Sequence, residues 1–150
     1  MDRLNKDEYY LNIAKEVSRR STCLKRQYGA VIVKNREIIS TGYNGSPRGI
    51  KNCCDINFCP RLDAPHNSGD YGNCQSVHAE QNAIISAARK DMIDSDLYLF
   101  GREGEVDIYN ILPCPVCMKI IINAGIKNII TANQSYSVED IIDYMNSKNG

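Results

Sequence analysis

Apolar and polar positions along the chain follow two periods, and their order predicts helices interleaved with strands. In residues 7–20, Tyr10, Ile13, Ala14 and Val17 recur at helical spacing among charged side chains, behind Asn5 or Asp7 as a cap. Residues 30–34 and 37–42 are rich in β-formers, and the Asn35-Arg36 pair between them predicts a hairpin turn. Ala83, Ile84, Ala87 and Ala88 predict a helix over 78–89, with no proline or glycine to interrupt it. A strand follows near 97–100. The apolar run 118–124 predicts another helix, whose first turn tolerates Pro113 and Pro115 because the missing amide hydrogens cost little there. A strand near 128–131 and a last helix over 138–145 complete the pattern. This interleaving predicts a layered α/β architecture, in one domain over residues 1–150 with no linker or repeat to divide it. Two stretches escape the periods: 45–76, rich in Gly, Pro, Asn, Asp and Cys, and 101–112, between a strand and Pro113.

Composition narrows the function. A chain of 150 residues that is 43% hydrophobic and 24% charged has material for one real core. Its 18 basic residues balance 18 acidic ones, which argues against a protein whose main task is gripping a polyanion. Small phosphorylated ligands fit better than nucleic acid. The basic pairs Arg19-Arg20 and Lys25-Arg26 read as a solvated helix end. No apolar run approaches the length of about 20 residues that spans a bilayer, so no membrane association is expected. Charges of both signs near Met1 make an export signal unexpected, and a reducing cytoplasm is the expected setting. The seven cysteines are then expected as metal ligands rather than disulfides.

Four residues carry the chemistry: His78 and Glu80 in a His-Ala-Glu run, and Cys114 and Cys117 in a Pro-Cys-Pro-Val-Cys run. A catalytic zinc takes three protein ligands of nitrogen and sulfur type and leaves a fourth tetrahedral position open. His78, Cys114 and Cys117 supply that set, and zinc lowers the pKa of water from about 15.7 towards about 7. Glu80 is too near His78 in sequence to ligate comfortably, yet it reaches the open position. It reads as the proton shuttle, the general acid and base. Two helix N-termini converging on one ion would favour thiolate over thiol. A closed zinc site needs a fourth strong ligand, and a redox pair has no use for the His-x-Glu partner.

With these motifs in place, the chain resembles the deoxycytidylate deaminase branch of the cytidine and deoxycytidylate deaminase superfamily. The likeness runs through Ser-Thr-Cys at 21–23, Gly-Ala-Val-Ile-Val at 29–33, Thr-Gly-Tyr-Asn-Gly-Ser-Pro at 41–47, Val-His-Ala-Glu-Gln-Asn-Ala-Ile at 77–84 and Ile-Asn-Ala-Gly-Ile at 122–126. It implies the cytidine-deaminase-like fold, a three-layer αβα sandwich on a mixed central sheet. It implies hydrolysis of dCMP to dUMP and ammonia, supplying dUMP for thymidylate synthesis, by attack at C4 of the cytosine ring. Asn44 and the amide of Ala79 would contact the base or sugar. Arg89, Ser46 and Arg48 are the candidates for the phosphate, against a reading of all three as a solvated helix end and a polar turn. The resemblance also implies a homo-oligomer, hexamer or dimer, with dCTP as activator and dTTP as inhibitor, and the glycine-punctuated turn 43–49 offers amides to a triphosphate.

The insertion at 101–112 departs from the family pattern, which has only a few residues there. It is expected at the rim of the pocket, where it either reshapes substrate choice or is a harmless loop. The alternatives to dCMP are CMP, dCTP, deoxycytidine, tRNA adenosine, guanine or a pterin-like ring, or a non-catalytic zinc-stabilised nucleotide-binding module. The remaining cysteines belong to the cysteine-rich loop at 45–76 and to Cys23. A structureless stretch of that length is unusual unless something ties it, and phage relatives carry a second, structural zinc there. Cys53, Cys59 and Cys74 are expected to hold it, completed by Cys23 or Cys54, with His66 as a weaker candidate. Free buried thiols are the other reading.

Overall fold

The computed structural model describes residues 1–65 and 74–149. The chain order is α1 (Lys6–Ser18), β1 (Gln27–Lys34), β2 (Glu37–Tyr43), α2 (Cys53–Ile56), α3 (Ala79–Ile85), α4 (Arg89–Met92), β3 (Asp96–Glu103), β4 (Val106–Asp107), α5 (Pro115–Ala124), β5 (Asn128–Ile130), β6 (Ser135–Ser137) and α6 (Val138–Asn149). The sheet runs β2-β1-β3-β5-β6, with β4 hairpinned onto β3. Only the β3–β5 pair is parallel, so the sheet is mixed.

Alternation along β1 and β3 builds the layers. Val31, Val33, Tyr98 and Phe100 point to one face, where Tyr10 and Ala14 of α1 cover them. Ala30, Ile32, Leu97 and Leu99 point to the other, beneath Ala79 and Ala83 of α3 and Cys117 and Ile121 of α5. The result is the expected three-layer αβα sandwich. Asn5 is the cap of α1, its side-chain oxygen accepting the Glu8 amide at 2.9 Å. Asn35 and Arg36 both take positive φ (52° and 67°), as a two-residue hairpin turn requires, and the Tyr10 hydroxyl donates to the Arg36 carbonyl at 3.0 Å.

Two glycines set the distance between layers. A Cβ on Gly29 would stand 2.0 Å from the Ala14 carbonyl oxygen, so α1 lies on bare backbone. Gly42 does the same for α3 on the opposite face.

The helix expected over 78–89 is two helices. The buried Ser40 hydroxyl donates to the Ala83 carbonyl at 2.7 Å, taking the acceptor that a longer helix would offer to Ala87. The Ala87 amide turns instead to Ile84, and Ala88 is extended (φ −81°, ψ 141°) ahead of α4. Residues 101–103 continue β3, and the hairpin to β4 turns through Gly104 at φ 63°. Regular sheet thus absorbs the first half of the 101–112 insertion. Besides β4, α2 inside the cysteine-rich loop and β6 were not expected. Pro115 opens α5, whereas Pro113 precedes its cap. All seven cysteines are free, and no helix among the described residues is long and apolar enough to cross a membrane.

Candidate active site

His78 and Cys114 occupy equivalent places in the fold. His78 is the extended N-cap residue of α3 (φ −73°, ψ 154°), its amide held by the Gln81 side chain at 2.8 Å, and Glu80 lies in the first turn. Cys114 is the extended N-cap residue of α5 (φ −63°, ψ 162°), and Cys117 follows one turn later on the same side. A two-bond bridge between Gly45 and Val77 fastens the segment before His78 to the end of β2. Both helices thus present their positive ends to one point.

At that point His78 Nδ1 lies 3.5 Å from Cys114 Sγ and 3.2 Å from Cys117 Sγ. Zinc bonds of about 2.3 Å to sulfur and about 2.0–2.1 Å to nitrogen, at a tetrahedral angle, would separate S and N by about 3.6 Å. The three donors therefore fit a zinc ion through Nδ1. Among the described residues they are also the one group of His, Cys, Asp or Glu side chains whose donor atoms all lie within 4.8 Å. Hydrogen bonding from Cys117, reinforced by His78, holds Cys114 down at about 3 against its burial. Cys117 is pushed above the ordinary thiol range by the same bond and by burial. A divalent cation binding here would displace the thiol protons.

Glu80 is 6% exposed and stands beside this group without joining it. Burial pushes its carboxyl above the ordinary range, while its own backbone amide and His78 pull the other way. A carboxyl raised in this way holds its proton more tightly than a free one, the direction a general acid and base requires.

His78, Glu80 and Cys114 open into a cavity of about 390 Å³. Asn44 forms part of its wall and is already engaged. Its side-chain oxygen accepts from Ser21 Oγ (2.6 Å) and the Tyr28 amide (2.9 Å), and its Nδ2 donates to the Arg26 carbonyl (2.9 Å). One Nδ2 hydrogen remains for a ligand. Ala79 is buried at the start of α3, where amides lack intrahelical acceptors.

The three phosphate candidates do not line this cavity. Ser46 keeps a buried hydroxyl without a partner among the described residues, and Arg48 is exposed on the following turn. Arg89 belongs to a separate groove with Lys119 and Ile120, where its Nε donates to the Asn123 carbonyl at 2.8 Å. The break after Ile85 turns it away from the zinc end of α3. The cavity instead takes in Lys25, Arg26 and Arg61. Reading Lys25-Arg26 as a helix end fails because α1 stops at Ser18. The overlooked signal is that Lys25 follows Cys23, and Arg61 follows Cys59, by two residues.

The second half of the insertion contributes Ile108, Tyr109, Ile111 and Leu112 to the cavity lining. Asn110, at φ 59°, latches this strap to Asn133: the Asn110 amide donates to the Asn133 side-chain oxygen at 3.1 Å, and Asn133 Nδ2 donates back at 2.8 Å. Cys23, Cys59 and Cys74 lie along the cavity wall, and burial, followed by the nearness of these three, pushes the Cys53 thiol up. Cys54 is exposed, turned to Asp55 at 3.9 Å. His66 lies outside the described residues.

Comparison with known proteins agrees with this geometry. The family model described as "Cytidine and deoxycytidylate deaminase zinc-binding region" matches residues 4–133. The chain is 37% identical over 141 residues to the deoxycytidylate deaminase of Mycobacterium phage D29, covering 90% of this chain and all of that one. It is 35% identical to the deoxycytidylate deaminase of Enterobacteria phage T4, covering 80% of this chain and 74% of the phage protein. The dCMP deaminase of cyanophage S-TIM5, solved in complex with dCMP and dUMP, superposes with a TM-score of 0.65 at 29% identity, over 97% of this chain and 94% of that one. A cytidine deaminase from Burkholderia pseudomallei shares the fold at a TM-score of 0.59 and 14% identity. With the His-Cys-Cys group, the buried glutamate and the mixed sheet in place, the chain belongs to the zinc-binding cytidine and deoxycytidylate deaminase family.

Proposed function

We infer that this chain is a zinc-dependent hydrolase that converts dCMP and water to dUMP and ammonia, supplying dUMP for thymidylate synthesis. The observation that carries the reading is the buried Glu80 carboxyl beside the His78, Cys114 and Cys117 donors, at the end of a cavity with cations in its wall. The phage relatives named deoxycytidylate deaminase support the choice of substrate.

His78 Nδ1 and the two cysteine sulfurs would hold the zinc ion. When bound, zinc supplies a Lewis acid that makes water a nucleophile at neutral pH. Glu80 takes a proton as water oxygen bonds to C4, and passes it to ring N3. A second proton, taken by the same carboxyl from the new C4 hydroxyl, reaches the amino nitrogen as the C4=O bond forms, the C4–N bond breaks and ammonia leaves. Leu99, Ile108 and Ile111 give that end of the cavity an apolar lining that strengthens each polar contact. Asn44, through its spare Nδ2 hydrogen, and the Ala79 amide orient the pyrimidine or its sugar. The test is dUMP formation from dCMP, lost in Glu80→Gln with zinc content kept.

A second, structural zinc belongs to the same reading, on Cys23, Cys53, Cys59 and Cys74. Cys23, Cys59 and Cys74 line one cavity and lie close enough to Cys53 to act on it, which supports the reading, although no three of these sulfurs stand within 4.8 Å of one another; Cys54 is turned to Asp55. Free thiols in a nucleotide-handling enzyme fit a reducing cytoplasm. Control by dCTP and dTTP, and assembly into a dimer or hexamer, complete the proposal.

A further inference from the structure

We propose that Tyr109 seats the pyrimidine ring of the substrate by stacking on it, and that the Asn110–Asn133 pair is the clasp that holds the tyrosine in place. The inference rests on the deamination reading for the identity of the ring. Tyr109 belongs to the 101–112 insertion, outside every motif that the chemistry uses, and it lines the same cavity as His78 and Glu80.

The chain is fixed on both sides of this residue. Before it, β4 pairs with β3 through Asp107 and Arg102, and the Ile108 amide donates to the Gly101 carbonyl at 2.8 Å. After it, Asn110 takes φ 59° with its amide and its side chain both bonded to Asn133, and Ile111 is buried in the core that Cys117 shares. Gly101 makes room for that isoleucine: a Cβ there would stand 2.6 Å from the Tyr28 ring and 3.0 Å from Ile111 Cδ1. Between these anchors Tyr109 is 59% exposed and packs into neither hydrophobic core. A flat apolar ring held open to a cavity gains free energy when a flat ligand covers it.

Position points to the ring of the nucleotide. The segment runs through Leu112 and Pro113 directly into Cys114, a donor of the metal group. Ile111 meets the Tyr28 ring over Gly101, and the Tyr28 amide holds the Asn44 side chain at 2.9 Å. Tyr109 therefore stands on a segment tied to the zinc donors and to the wall that carries Asn44. An aromatic side chain recognises a base by its π face, and that contact disappears when the base loses its planarity.

The clasp acts through placement. Asn110 and Asn133 are exposed, where substitutions usually move stability little. Their bonds fix the left-handed turn that immediately follows Tyr109, and so fix the direction in which the chain presents it.

The experiment is equilibrium binding of dUMP and of dihydro-dUMP, whose saturated ring is puckered, to zinc-loaded protein, with ammonia release from dCMP measured in parallel. The wild-type chain prefers dUMP. Tyr109→Ala and Tyr109→Leu weaken dUMP by about 5- to 100-fold, the range of base stacking on an aromatic side chain, and lose the preference; Tyr109→Phe keeps it. Asn133→Ala, and Asn110→Gly, which tolerates the left-handed turn, lose part of the same preference with Tm nearly unchanged. Asn133→Ala adds little to Tyr109→Ala, the non-additivity of a residue that acts through another. Equal binding of the two ligands by the wild-type chain, a preference retained in Tyr109→Ala, or Tyr109→Phe as weak as Tyr109→Ala would each overturn the stacking role. Additive losses in the double variant would overturn the clasp. Absence of ammonia release, with the preference present in the wild-type chain and lost in Tyr109→Ala, would instead overturn the deamination reading and leave the seat standing.

Discussion

Gly42 of β2 lies directly under the first turns of α3: a Cβ at this position would stand 2.4 Å from the Ala79 carbonyl oxygen and 2.4 Å from the Ala83 amide nitrogen. Both neighbours are backbone, so neither can swing aside. The helix that carries His78 and Glu80 is therefore placed by the absence of one methyl group. Gly42→Ala should lift α3 from the sheet. Overpacking of this kind costs about 1–3 kcal/mol, and with about 2–4 °C lost per kcal/mol in a chain of this size a fall of several degrees in Tm is expected. Zinc affinity should weaken alongside it, since His78 moves relative to Cys114 and Cys117. Thermal unfolding with a zinc competition assay checks both, and an unchanged pair would remove Gly42 from this role.

Asn44 offers a second test, because its side chain joins Ser21, Arg26 and Tyr28 in the wall of the cavity. Asn44→Ala takes the side-chain partner from the Tyr28 amide and the Arg26 carbonyl, at about 1–3 kcal/mol for each group that finds no water, while the Ser21 hydroxyl keeps its bond to the backbone carbonyl of residue 44. The expected result is a less stable enzyme with KM for dCMP raised more than kcat is lowered. Asn44→Asp should keep the two accepted bonds and lose the one donated to Arg26. Equal stability of wild-type and Ala variant in denaturant titration would contradict the network.

Glu80 gives a pH dependence with a definite sign. Its folded carboxyl binds a proton more tightly than the unfolded one because burial raises its pKa. The stability it contributes is therefore full below the ordinary carboxyl range and is lost as pH rises through the raised value. In metal-free protein, the stability of wild-type relative to Glu80→Gln should decline from acid towards neutral pH. Chemical denaturation of both chains across that range reads the difference; a gap that widens in the other direction would show a carboxylate stabilised by its site.

Zinc analysis separates the two metal proposals. Fully metallated, active protein should carry two zinc ions per chain. Cys117→Ser should remove the one needed for turnover, whereas Cys59→Ser should remove the other and raise KM for dCMP. A single zinc in active wild-type protein would sink the second site.

The His78, Cys114 and Cys117 cluster with Glu80 beside it was legible in the sequence because these residues come in local pairs, His-x-Glu and Cys-x-x-Cys, whose spacing survives any arrangement of the rest. The sandwich was legible for a similar reason: alternation in β1 and β3 and helical spacing in α1 are short-range signals. What escaped depends on distant partners. The end of α3 is decided by Ser40, which lies on another strand and meets Ala83 only in the folded chain. Arg89 looked like part of the active-site helix for as long as that break was invisible. Lys25 and Arg61 lie far apart in sequence and meet through Ala64, inside a segment with no periodicity to read. β6 is three polar or half-buried residues, Ser135–Ser137, and owes its strand geometry to pairing with β5 rather than to its own pattern.

The most direct test of the central claim is ammonia release from dCMP, CMP, deoxycytidine and dCTP by zinc-loaded protein, repeated with dCTP added at low concentration to the dCMP reaction and with Glu80→Gln as the blank. Turnover with dCMP, weak or absent with the other three, and lost by several orders of magnitude in the variant is the predicted result. Near-normal turnover in Glu80→Gln, or silence on all four nucleotides, would contradict it.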